Sequence, residues 1–462
     1  MRFAICSALS LLILLSVSAA PSLAQRSARI ALAPTPPMGW NSWDSYGLTI
    51  NEQQFKSNVE YFAAHLKNFG WQYVVIDEGW YLQHPENAGK PAADGGYTLG
   101  SNGLYFPATN RFPSSSDGHG FKPLADYVHG LGLKFGIHII RGIPRDAVRK
   151  NLPIASSAFH AADAADQSDV CAWNTDNFGI KTNEAGQAYY NSVAKLYAFW
   201  GVDFVKVDCI SQPYKDEEIR MFSDALRATG ESIVLSLSPG PTPLAKTEHL
   251  RRYAQMWRIS DDFWDIWKRN ADIAWPSSLL DAFRLTADWA PYVEPGHWPD
   301  ADMLPLGHLG PVPGWGPVRD TRLTHDEQQT LLTLWSMFRS PLILGASLPA
   351  MDDWTLQLLI NPEVIDVDQH STQNHPVIST KDTVVWSAKP DAGPDYYVAV
   401  FNLADQPRTI TYPWSSVGVT IVGVTYTPHH VRDLWKRQDI GPAAQLNVAL
   451  APHACVLYRV TQ

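Results

Sequence analysis

The chain has 462 residues, 45% of them apolar, and a formal net charge of −10 at neutral pH. A chain of this length can bury a large core and is long enough for a large domain followed by a small one. Its Lys and Arg residues are scattered along an acidic sequence, which excludes the basic patch that nucleic acid or an anionic membrane would need, so no nucleic-acid partner is expected.

The first residues have the pattern of a secretory signal peptide. Arg2 supplies the positive start, residues 11–17 form an apolar run, and Ser22-Leu23-Ala24 is a small-x-small cleavage site. The apolar run is too short to span a membrane stably. Residues 1–24 are therefore predicted to be a signal peptide and the mature protein to be secreted or periplasmic, with no membrane partner; a retained anchor is the alternative.

The cysteines indicate that disulfides are not the main source of stability. Cys6 leaves with the signal peptide, so Cys171, Cys209 and Cys455 remain, an odd number that cannot all pair within one chain. A disulfide between Cys171 and Cys209 and a reduced, buried pair are both compatible with the sequence.

From about residue 36 to 348, short apolar runs alternate with longer helical patterns, which is typical of βα units and a parallel sheet. Eight runs are predicted to be strands: 38–43, 73–80, 135–140, 204–210, 233–238, 256–260, 303–306 with the loop before it, and 341–344. Several runs end in polar side chains, as barrel enzymes require, because their chemistry lies at the C-terminal ends of the strands. An α/β fold is predicted, a (β/α)8 TIM barrel over residues 36–370.

Two other regions complete the predicted organisation. The long stretch 141–197, which contains Trp173, follows the third run and is expected to cover the mouth of the pocket. Residues 372–462 alternate strictly between apolar and polar, which predicts a small antiparallel β-sandwich. No polar cluster stands out there, so that domain is interpreted as a packing module without a ligand.

The fourth run places a lysine and an aspartate on one face of a strand. Lys206 and Asp208 alternate with Val205 and Val207, and both must point into the barrel if the valines pack against helices. A buried lysine is costly unless it is paired, and a Lys206–Asp208 pair would keep Asp208 ionised, as a nucleophile requires. A structural ion pair inside the barrel is the alternative.

A second candidate carboxylate, in Asp261-Asp262, follows the sixth run. Hydrolysis of a glycoside with retention needs two carboxyl groups about 5 to 5.5 Å apart, one attacking the anomeric carbon and the other protonating the leaving oxygen. The fourth and sixth strands of a barrel face the same axis, so this separation is reachable. The 18 Trp and 18 Tyr residues also favour a sugar ligand, because sugars stack on aromatic rings, although large aromatics equally fill cores.

Ordered motifs give the chain a resemblance to a known family. In sequence order they are Pro37-Met38-Gly39-Trp40-Asn41-Ser42-Trp43, residues 73–80, Asn110-Arg111-Phe112-Pro113, Gly132-Leu133-Lys134-Phe135-Gly136-Ile137, Trp200-Gly201-Val202-Asp203 before Lys206 and Asp208, Trp257-Arg258 before Asp262, and His297-Trp298-Pro299-Asp300-Ala301-Asp302-Met303. Over nearly the whole mature chain the sequence resembles glycoside hydrolase family 27, the α-galactosidases and their relatives.

The resemblance implies a role for most of the candidate site. Asp208 would be the nucleophile and Asp262 the acid/base, with Asp261 as the fallback for Asp262. The remaining predicted substrate-binding residues are Trp43 on the apolar face of the sugar, Lys206 on its ring hydroxyls, Arg258 near the hydroxyl beside the anomeric centre, Asp302 next to it, and Asp77, Glu78, His138, Trp173 and Ser238 around the pocket. No metal or other cofactor is expected, since this reaction requires none.

The sequence departs from the α-galactosidase pattern at the second strand, where that pattern ends in two aspartates and this chain has Asp77 and Glu78. The extra methylene would push the Glu78 carboxylate into the volume of the sugar C6 group, and a methylene is worth about 1 to 3 kcal/mol of discrimination. Such a shift would turn the preference towards β-L-arabinopyranosides, which lack C6 and on which some family members act; alternatively, a flexible Glu78 adjusts and still binds galactose. His138 and Ile210 also replace the usual tyrosine and cysteine, and residues 141–145 are expected to line the pocket with Trp173.

The predicted function is therefore that of a retaining exo-glycosidase acting on terminal α-D-galactosyl residues of an oligosaccharide or polysaccharide. A β-L-arabinopyranosidase with the same mechanism is the alternative, and an inert sugar-binding protein is the alternative from another class. The sequence leaves homo-oligomer formation open.

Overall fold

Eight short strands form one parallel sheet. The structure is a computed structural model that describes residues 32–87, 96–270, 272, 275–419 and 429–461. In chain order the strands are Met38–Asn41, Tyr73–Ile76, Lys134–Ile140, Phe204–Asp208, Val234–Leu237, Met256–Arg258, Trp298–Asp300 and Leu342–Leu344. The eighth strand pairs with the first, and Leu304, just beyond the seventh, bridges to Leu344 of the eighth. The sheet thus closes on itself, and the predicted TIM barrel is confirmed.

The prediction for the seventh strand was wrong in position. The strand is Trp298–Asp300, which pairs with Met256–Arg258, whereas the predicted stretch 303–306 lies beyond it. Pro299 argues against a strand because proline has no N–H to donate. The seventh strand still pairs with the sixth, because the residues on either side of Pro299 make the hydrogen bonds. Trp298 N–H donates to the Gln255 carbonyl, and the Asp300 carbonyl accepts from Ile259 N–H.

Helices on the outside of the sheet complete the barrel, and their ends are capped by the sequence. Asn51 and Thr324 each form a capping box at the start of a helix, and Gly201 ends another in the left-handed conformation. The α-helices are Trp43–Tyr46, Glu52–His65, Lys122–Gly130, Arg145–Arg149, Ala161–Ala164, Glu184–Trp200, Asp216–Ala228, Thr247–Tyr253, Leu279–Trp289, His325–Phe338, Asp353–Leu359 and Pro362–Gln369.

The register of the fourth strand sends its functional side chains inward. Phe204 packs in the small apolar cluster inside the barrel, whereas Val205 and Val207 pack in the larger cluster formed with the surrounding helices. Lys206 and Asp208 share the inward face with Phe204, because strand side chains alternate. The predicted orientation of both residues is confirmed.

The insertion after the third strand is an ordered layer of its own. Strands Ile143–Pro144, Ala165–Val170 and Asn177–Ile180 form a three-stranded antiparallel sheet. Arg145–Arg149 and Ala161–Ala164 are short helices between them. The chain returns to the barrel through helix Glu184–Trp200. The turn that carries Trp173 lines the same cavity as the C-terminal ends of the barrel strands.

The C-terminal region is antiparallel, as predicted. Six strands lie side by side in the order Ser371–Ser379, Thr383–Pro390, Tyr396–Asn402, Cys455–Thr461, His429–Asp433 and Gln438–Ala443, and Arg408–Tyr412 pairs separately with Leu446–Leu450. Val398, Ile410 and Val460 belong to the core of this sandwich. Helix His325–Phe338 joins it to the barrel, where Thr330 Oγ1 donates to the His453 carbonyl over 2.7 Å.

No described helix is long and apolar enough to cross a membrane. The predicted signal peptide, residues 1–24, lies outside the described ranges.

Candidate active site

A cavity of about 700 Å³ opens at the C-terminal ends of the barrel strands. Ten of the eleven predicted site residues line it: Trp43, Asp77, Glu78, Trp173, Lys206, Asp208, Ser238, Arg258, Asp262 and Asp302. The eleventh, His138, is buried beneath Asp208, with its Nε2 3.6 Å from Asp208 Oδ2. The structure thus brings together residues that the sequence separates by up to 259 positions, from Trp43 to Asp302.

Lys206 is held by Asp77 rather than by Asp208. Its ammonium lies 2.9 Å from Asp77 Oδ2, which also accepts a 2.6 Å hydrogen bond from the Asn41 amide. The predicted direct Lys206–Asp208 pair was wrong, because the Asp77 carboxylate on the second strand reaches the ammonium first. Burial disfavours ionised Asp77, but the positive charge of His138 and Lys206 outweighs it and holds the pKa of Asp77 well below its ordinary value.

Asp208 is nonetheless kept ionised. Burial raises its pKa, but the contact and charge of His138, followed by the charge of Lys206 and a 2.6 Å hydrogen bond from Cys209 N–H, bring the pKa below its ordinary value. The side chain is 17% exposed and faces the cavity. An ionised carboxylate at the edge of a cavity is equipped to act as a nucleophile.

The second carboxyl group, Asp262, lies across the pocket and is held by an arginine. Arg258 forms an ion pair with Asp302, with 2.7 Å between Nη2 and Oδ2, and donates a hydrogen bond to Asp262 Oδ1 over 3.3 Å. The Asp262 side chain is 41% exposed, whereas Arg258 is buried. Asp261 also lines the cavity. Among the described residues, however, Arg258 contacts Asp262 and not Asp261.

Asp302 is buried behind Arg258. Its Oδ2 also accepts a 2.7 Å hydrogen bond from Phe263 N–H. Burial, together with the nearby charges of Asp262 and Asp300 and against the effect of Arg258, raises the pKa of Asp302 above its ordinary value. The Arg258–Asp302 pair therefore provides a buried polar wall beside Asp262.

Glu78 is fixed by the insertion. The Asn174 amide donates to Glu78 Oε1 over 2.5 Å, and Asn174 Oδ1 in turn accepts from Asp176 N–H over 2.8 Å. Burial raises the pKa of Glu78 to about 7, with Asp208 and Asp77 adding to the effect while His138 opposes it. The carboxyl group is therefore tethered in one direction rather than free to swing away from the sugar.

The insertion is anchored at both ends of its pocket turn. Cys171 and Cys209 form a disulfide, with their Cα atoms 6.0 Å apart, so the bridged alternative for this pair is the one the structure contains. At the other end, the hydroxyls of Tyr81 and Tyr97 donate to Asp176. Trp173 lies between these anchors at the cavity wall.

The prediction that residues 141–145 line the pocket was wrong. The Arg141 side chain is buried away from the cavity and donates to the carbonyl of Cys209 over 2.7 Å. It also contacts Glu218 and Asp169 at 2.9 and 2.7 Å. Arg141 therefore supports the loop that follows Asp208 from behind. Arg145 stacks on Phe178 within the insertion, with its guanidinium carbon 4.6 Å from the ring centroid.

Trp43 forms an aromatic wall of the cavity. Its backbone N–H is held by Asn41 Oδ1 over 2.8 Å. A side chain at Gly314 would place its Cβ 2.6 Å from the indole nitrogen of Trp43, so glycine there lets the neighbouring loop pack against the ring. The indole thus has a fixed position from which to contact the apolar face of a sugar.

Several residues that line this cavity were not predicted from the sequence, and two of them carry polar groups that bear on the site, Asp44 and Trp275. Asp44 lines it and is buried, and one of its oxygens has no hydrogen-bond partner among the described residues. Burial, with Asp302 adding to it, raises the pKa of Asp44 well above its ordinary value. Its place after Trp43 at a strand end was an available signal. Trp275 lines the mouth from an irregular loop, where no local pattern marks it.

The described residues contain no group of three or more His, Cys, Asp or Glu side chains that could hold a metal ion. Two carboxyl groups, supporting cations and an aromatic wall at the C-terminal end of a barrel define a glycoside hydrolase site.

Comparisons with known proteins agree with this class. The family model for α-galactosidase A matches residues 169–370, and the model for the α-galactosidase C-terminal β-sandwich matches residues 380–460. α-Galactosidase 3 of Arabidopsis thaliana is 30% identical over 445 residues, which cover 93% of this chain and 82% of the relative. An α-galactosidase of Oryza sativa is 29% identical over 443 residues, covering 95% and 87%.

A solved structure is more similar still. The family 27 β-L-arabinopyranosidase of Geobacillus stearothermophilus is 45% identical, with a TM-score of 0.86 over 93% of this chain and 97% of the other. The chain belongs to glycoside hydrolase family 27.

Proposed function

We propose that the enzyme removes a terminal pyranosyl residue of galacto configuration, an α-D-galactosyl group or its counterpart without C6, a β-L-arabinopyranosyl group, with retention at the anomeric carbon. The observation that carries this proposal is the pair Asp208 and Asp262 in one cavity, the first held ionised by its neighbours and the second bound by Arg258. Retention follows from two displacements at the same carbon.

In this mechanism Asp208 attacks the anomeric carbon while Asp262 gives its proton to the glycosidic oxygen, so the bond to the leaving group breaks as the covalent glycosyl-enzyme forms. Asp262 then takes a proton from a water molecule whose oxygen bonds to the anomeric carbon, while the bond from that carbon to Asp208 breaks. This step releases the sugar and restores ionised Asp208 and protonated Asp262. Trp43, Lys206, Asp77 and Arg258 hold the ring, because each presents its group to the same cavity.

One observation favours the arabinopyranoside as the better substrate. Glu78 carries one methylene more than aspartate, and the Asn174 hydrogen bond holds its carboxyl group at the pocket wall. A tethered carboxyl group cannot withdraw to admit the C6 hydroxymethyl of galactose. The similarity to the β-L-arabinopyranosidase supports the same preference.

The test is the ratio of kcat/KM on the nitrophenyl β-L-arabinopyranoside and the nitrophenyl α-D-galactoside. We expect the wild-type ratio to favour the arabinopyranoside. Glu78→Asp should shift the ratio towards the galactoside by about 10- to 200-fold, the discrimination that one methylene provides. The anomeric configuration of the first product, followed by proton NMR, should match that of the substrate.

Asn174→Ala is the matched control for the tether. It keeps Glu78 but frees its carboxyl group, so its ratio should move in the same direction and by less. An unchanged ratio in Glu78→Asp would contradict the specificity argument, whereas absence of hydrolysis on both glycosides, or an inverted product, would contradict the proposed reaction.

We also propose that the enzyme is exported and cleaved before Gln25. The signal pattern of residues 1–24 supports this, and so does the Cys171–Cys209 disulfide, because disulfides persist mainly in oxidising compartments. N-terminal sequencing of the protein recovered outside the cytoplasm of a bacterial host should begin at Gln25. An intact Met1 terminus on active protein retained in the cytoplasm would contradict export.

A further inference from the structure

Trp275 lies at the mouth of the active-site cavity and contacts one of the two carboxyl groups. Its indole N–H donates to Asp262 Oδ2 over 3.4 Å. The other oxygen of that carboxyl group, Oδ1, faces Arg258 at 3.3 Å. Asp262 is therefore held from the buried side by Arg258 and from the mouth by Trp275.

The Trp275 ring is backed by other side chains although it is 41% exposed. It packs edge to face on Trp315, with 5.8 Å between ring centroids, and Trp315 packs on the buried Trp264 at 5.4 Å. Arg319 lies over Trp315 and binds the buried Asp265 through two contacts of 2.6 and 2.9 Å. The exposed face of Trp275 is therefore a fixed surface.

The backbone ties the ring to the carboxyl group. Ser277 N–H donates to the Asp262 carbonyl over 2.8 Å, and Ser277 bridges to Phe263. The segment that carries Trp275 is thus joined to the segment that carries Asp262 at Ser277, two residues after the ring. These backbone contacts fix the position of the ring relative to the carboxyl group.

We propose that Trp275 has two roles: its indole N–H positions the Asp262 carboxyl group, and its exposed ring face forms part of the subsite for the leaving group at the cavity mouth. This subsite accepts a leaving group that has a flat apolar face next to the glycosidic oxygen. This inference rests on the acid/base role proposed for Asp262. The proton of Asp262 passes to the glycosidic oxygen, which keeps the electron pair of the broken bond to the anomeric carbon, while Asp208 forms the new bond to that carbon.

The position of the leaving group follows from that step. The glycosidic oxygen must lie within hydrogen-bond reach of Asp262, so the group attached to it borders whatever else contacts Asp262 from the mouth side. Among the described residues, that contact is Trp275. An aromatic ring and the C–H face of a second sugar unit share the flat apolar surface that stacks on an indole.

Two substitutions separate the two parts of the proposal. Trp275→Phe keeps a ring but removes the N–H, and Trp275→Ala removes both. Each is measured on dinitrophenyl, nitrophenyl, methyl and disaccharide glycosides of the sugar that the wild type hydrolyses better. Trp354→Phe, at an exposed tryptophan stacked on His325 outside this cavity, is the control and should leave every constant unchanged.

For Trp275→Phe we expect kcat/KM to fall about fivefold on the methyl glycoside, as for loss of one weak hydrogen bond, and less than about twofold on the dinitrophenyl glycoside. The difference arises because a dinitrophenolate leaves without needing a proton. An equal fall on both substrates would overturn the positioning role.

For Trp275→Ala we expect KM to rise a further threefold to tenfold, roughly the value of an aromatic contact, on substrates with a flat leaving group. KM for the methyl glycoside should match that of Trp275→Phe. A rise confined to the nitrophenyl glycoside assigns the subsite to aromatic leaving groups, and a rise that includes the disaccharide assigns it to sugars as well. No rise on either, or an equal rise on the methyl glycoside, would overturn the subsite.

Asp262→Ala on the same substrates separates this inference from the proposed function. It should lose far more activity on the methyl than on the dinitrophenyl glycoside. If it does and Trp275→Phe does not, the inference fails alone. If Asp262→Ala shows no dependence on the leaving group, the acid/base assignment fails and the inference fails with it.

Discussion

Replacing Asp208 with alanine should abolish hydrolysis, lowering kcat by at least about 10⁴-fold on a substrate with an ordinary leaving group. The covalent intermediate needs this carboxylate, whose ionised form is stabilised by His138, Lys206 and the Cys209 N–H. Turnover of the preferred nitrophenyl glycoside measures the loss. Thermal unfolding of the same preparation shows whether the protein is still folded.

Asp208→Asn is the matched control, because its amide has the shape of the carboxyl group and can still accept the Cys209 N–H. This variant should be as inactive as the alanine variant, and its Tm should lie within a few degrees of that of the wild type. That result would show that the activity is lost because the nucleophile is missing and not because the protein is unfolded. Substantial turnover by either folded variant would remove Asp208 from the mechanism.

Azide distinguishes the roles of the two carboxyl groups. In Asp208→Ala, azide can enter the space beside the anomeric carbon and displace an activated leaving group once, giving a glycosyl azide of inverted configuration. In Asp262→Ala, the glycosyl-enzyme still forms from an activated substrate, and azide then releases it with retention. Asp261→Ala should turn over at close to the wild-type rate without added azide. If azide instead rescues Asp261→Ala and gives a glycosyl azide of retained configuration, Asp261 is the acid/base.

The sequence predicts what depends on local periodicity. Alternation along Phe204–Asp208 was enough to send Lys206 and Asp208 inward, because a strand with buried valines on one face must place its charges on the other. The partner of Lys206 depends instead on spacing around the barrel. Asp77 lies two strands away in the sheet, and no pattern within the fourth strand indicates that it lies nearer to the ammonium than Asp208 does.

The same limit explains the other differences. Pro299 makes the seventh strand look unlikely in the sequence, because the hydrogen bonds of that strand come from the backbone groups of neighbouring residues. Trp275 and Asp262 lie on two irregular segments joined by the Ser277 N–H, a tertiary contact that no local pattern indicates. Arg141 follows a strand end, which is where functional residues lie in barrels, yet its partners come from a helix and from the insertion. Position at a strand end identifies candidates, and tertiary contacts decide whether they face the pocket.

Replacing Arg141 with methionine should be strongly destabilising, lowering the free energy of unfolding by about 3 to 5 kcal/mol. The side chain is 2% exposed and joins the loop after Asp208, through the Cys209 carbonyl, to Glu218 and Asp169. Arg141 is the cation that contacts Glu218 among the described residues, so without it the Glu218 carboxylate stays buried and loses its ion pair. Urea unfolding at neutral pH measures the change, and Arg149→Met, which removes an exposed ion pair, should cost less than about 1 kcal/mol.

The pH dependence identifies the cause of that loss. Burial already raises the pKa of Glu218, with Arg141 opposing it, so removing Arg141 should raise this pKa further. A raised carboxyl pKa in the folded state means that stability is retained at pH values below the unfolded pKa and lost as pH rises through the folded one. The Arg141→Met deficit should therefore be larger at pH 8 than at pH 5, and Arg141→Met/Glu218→Gln should recover part of it. A deficit that is independent of pH and persists in the double variant would assign the loss to packing around Cys209 instead.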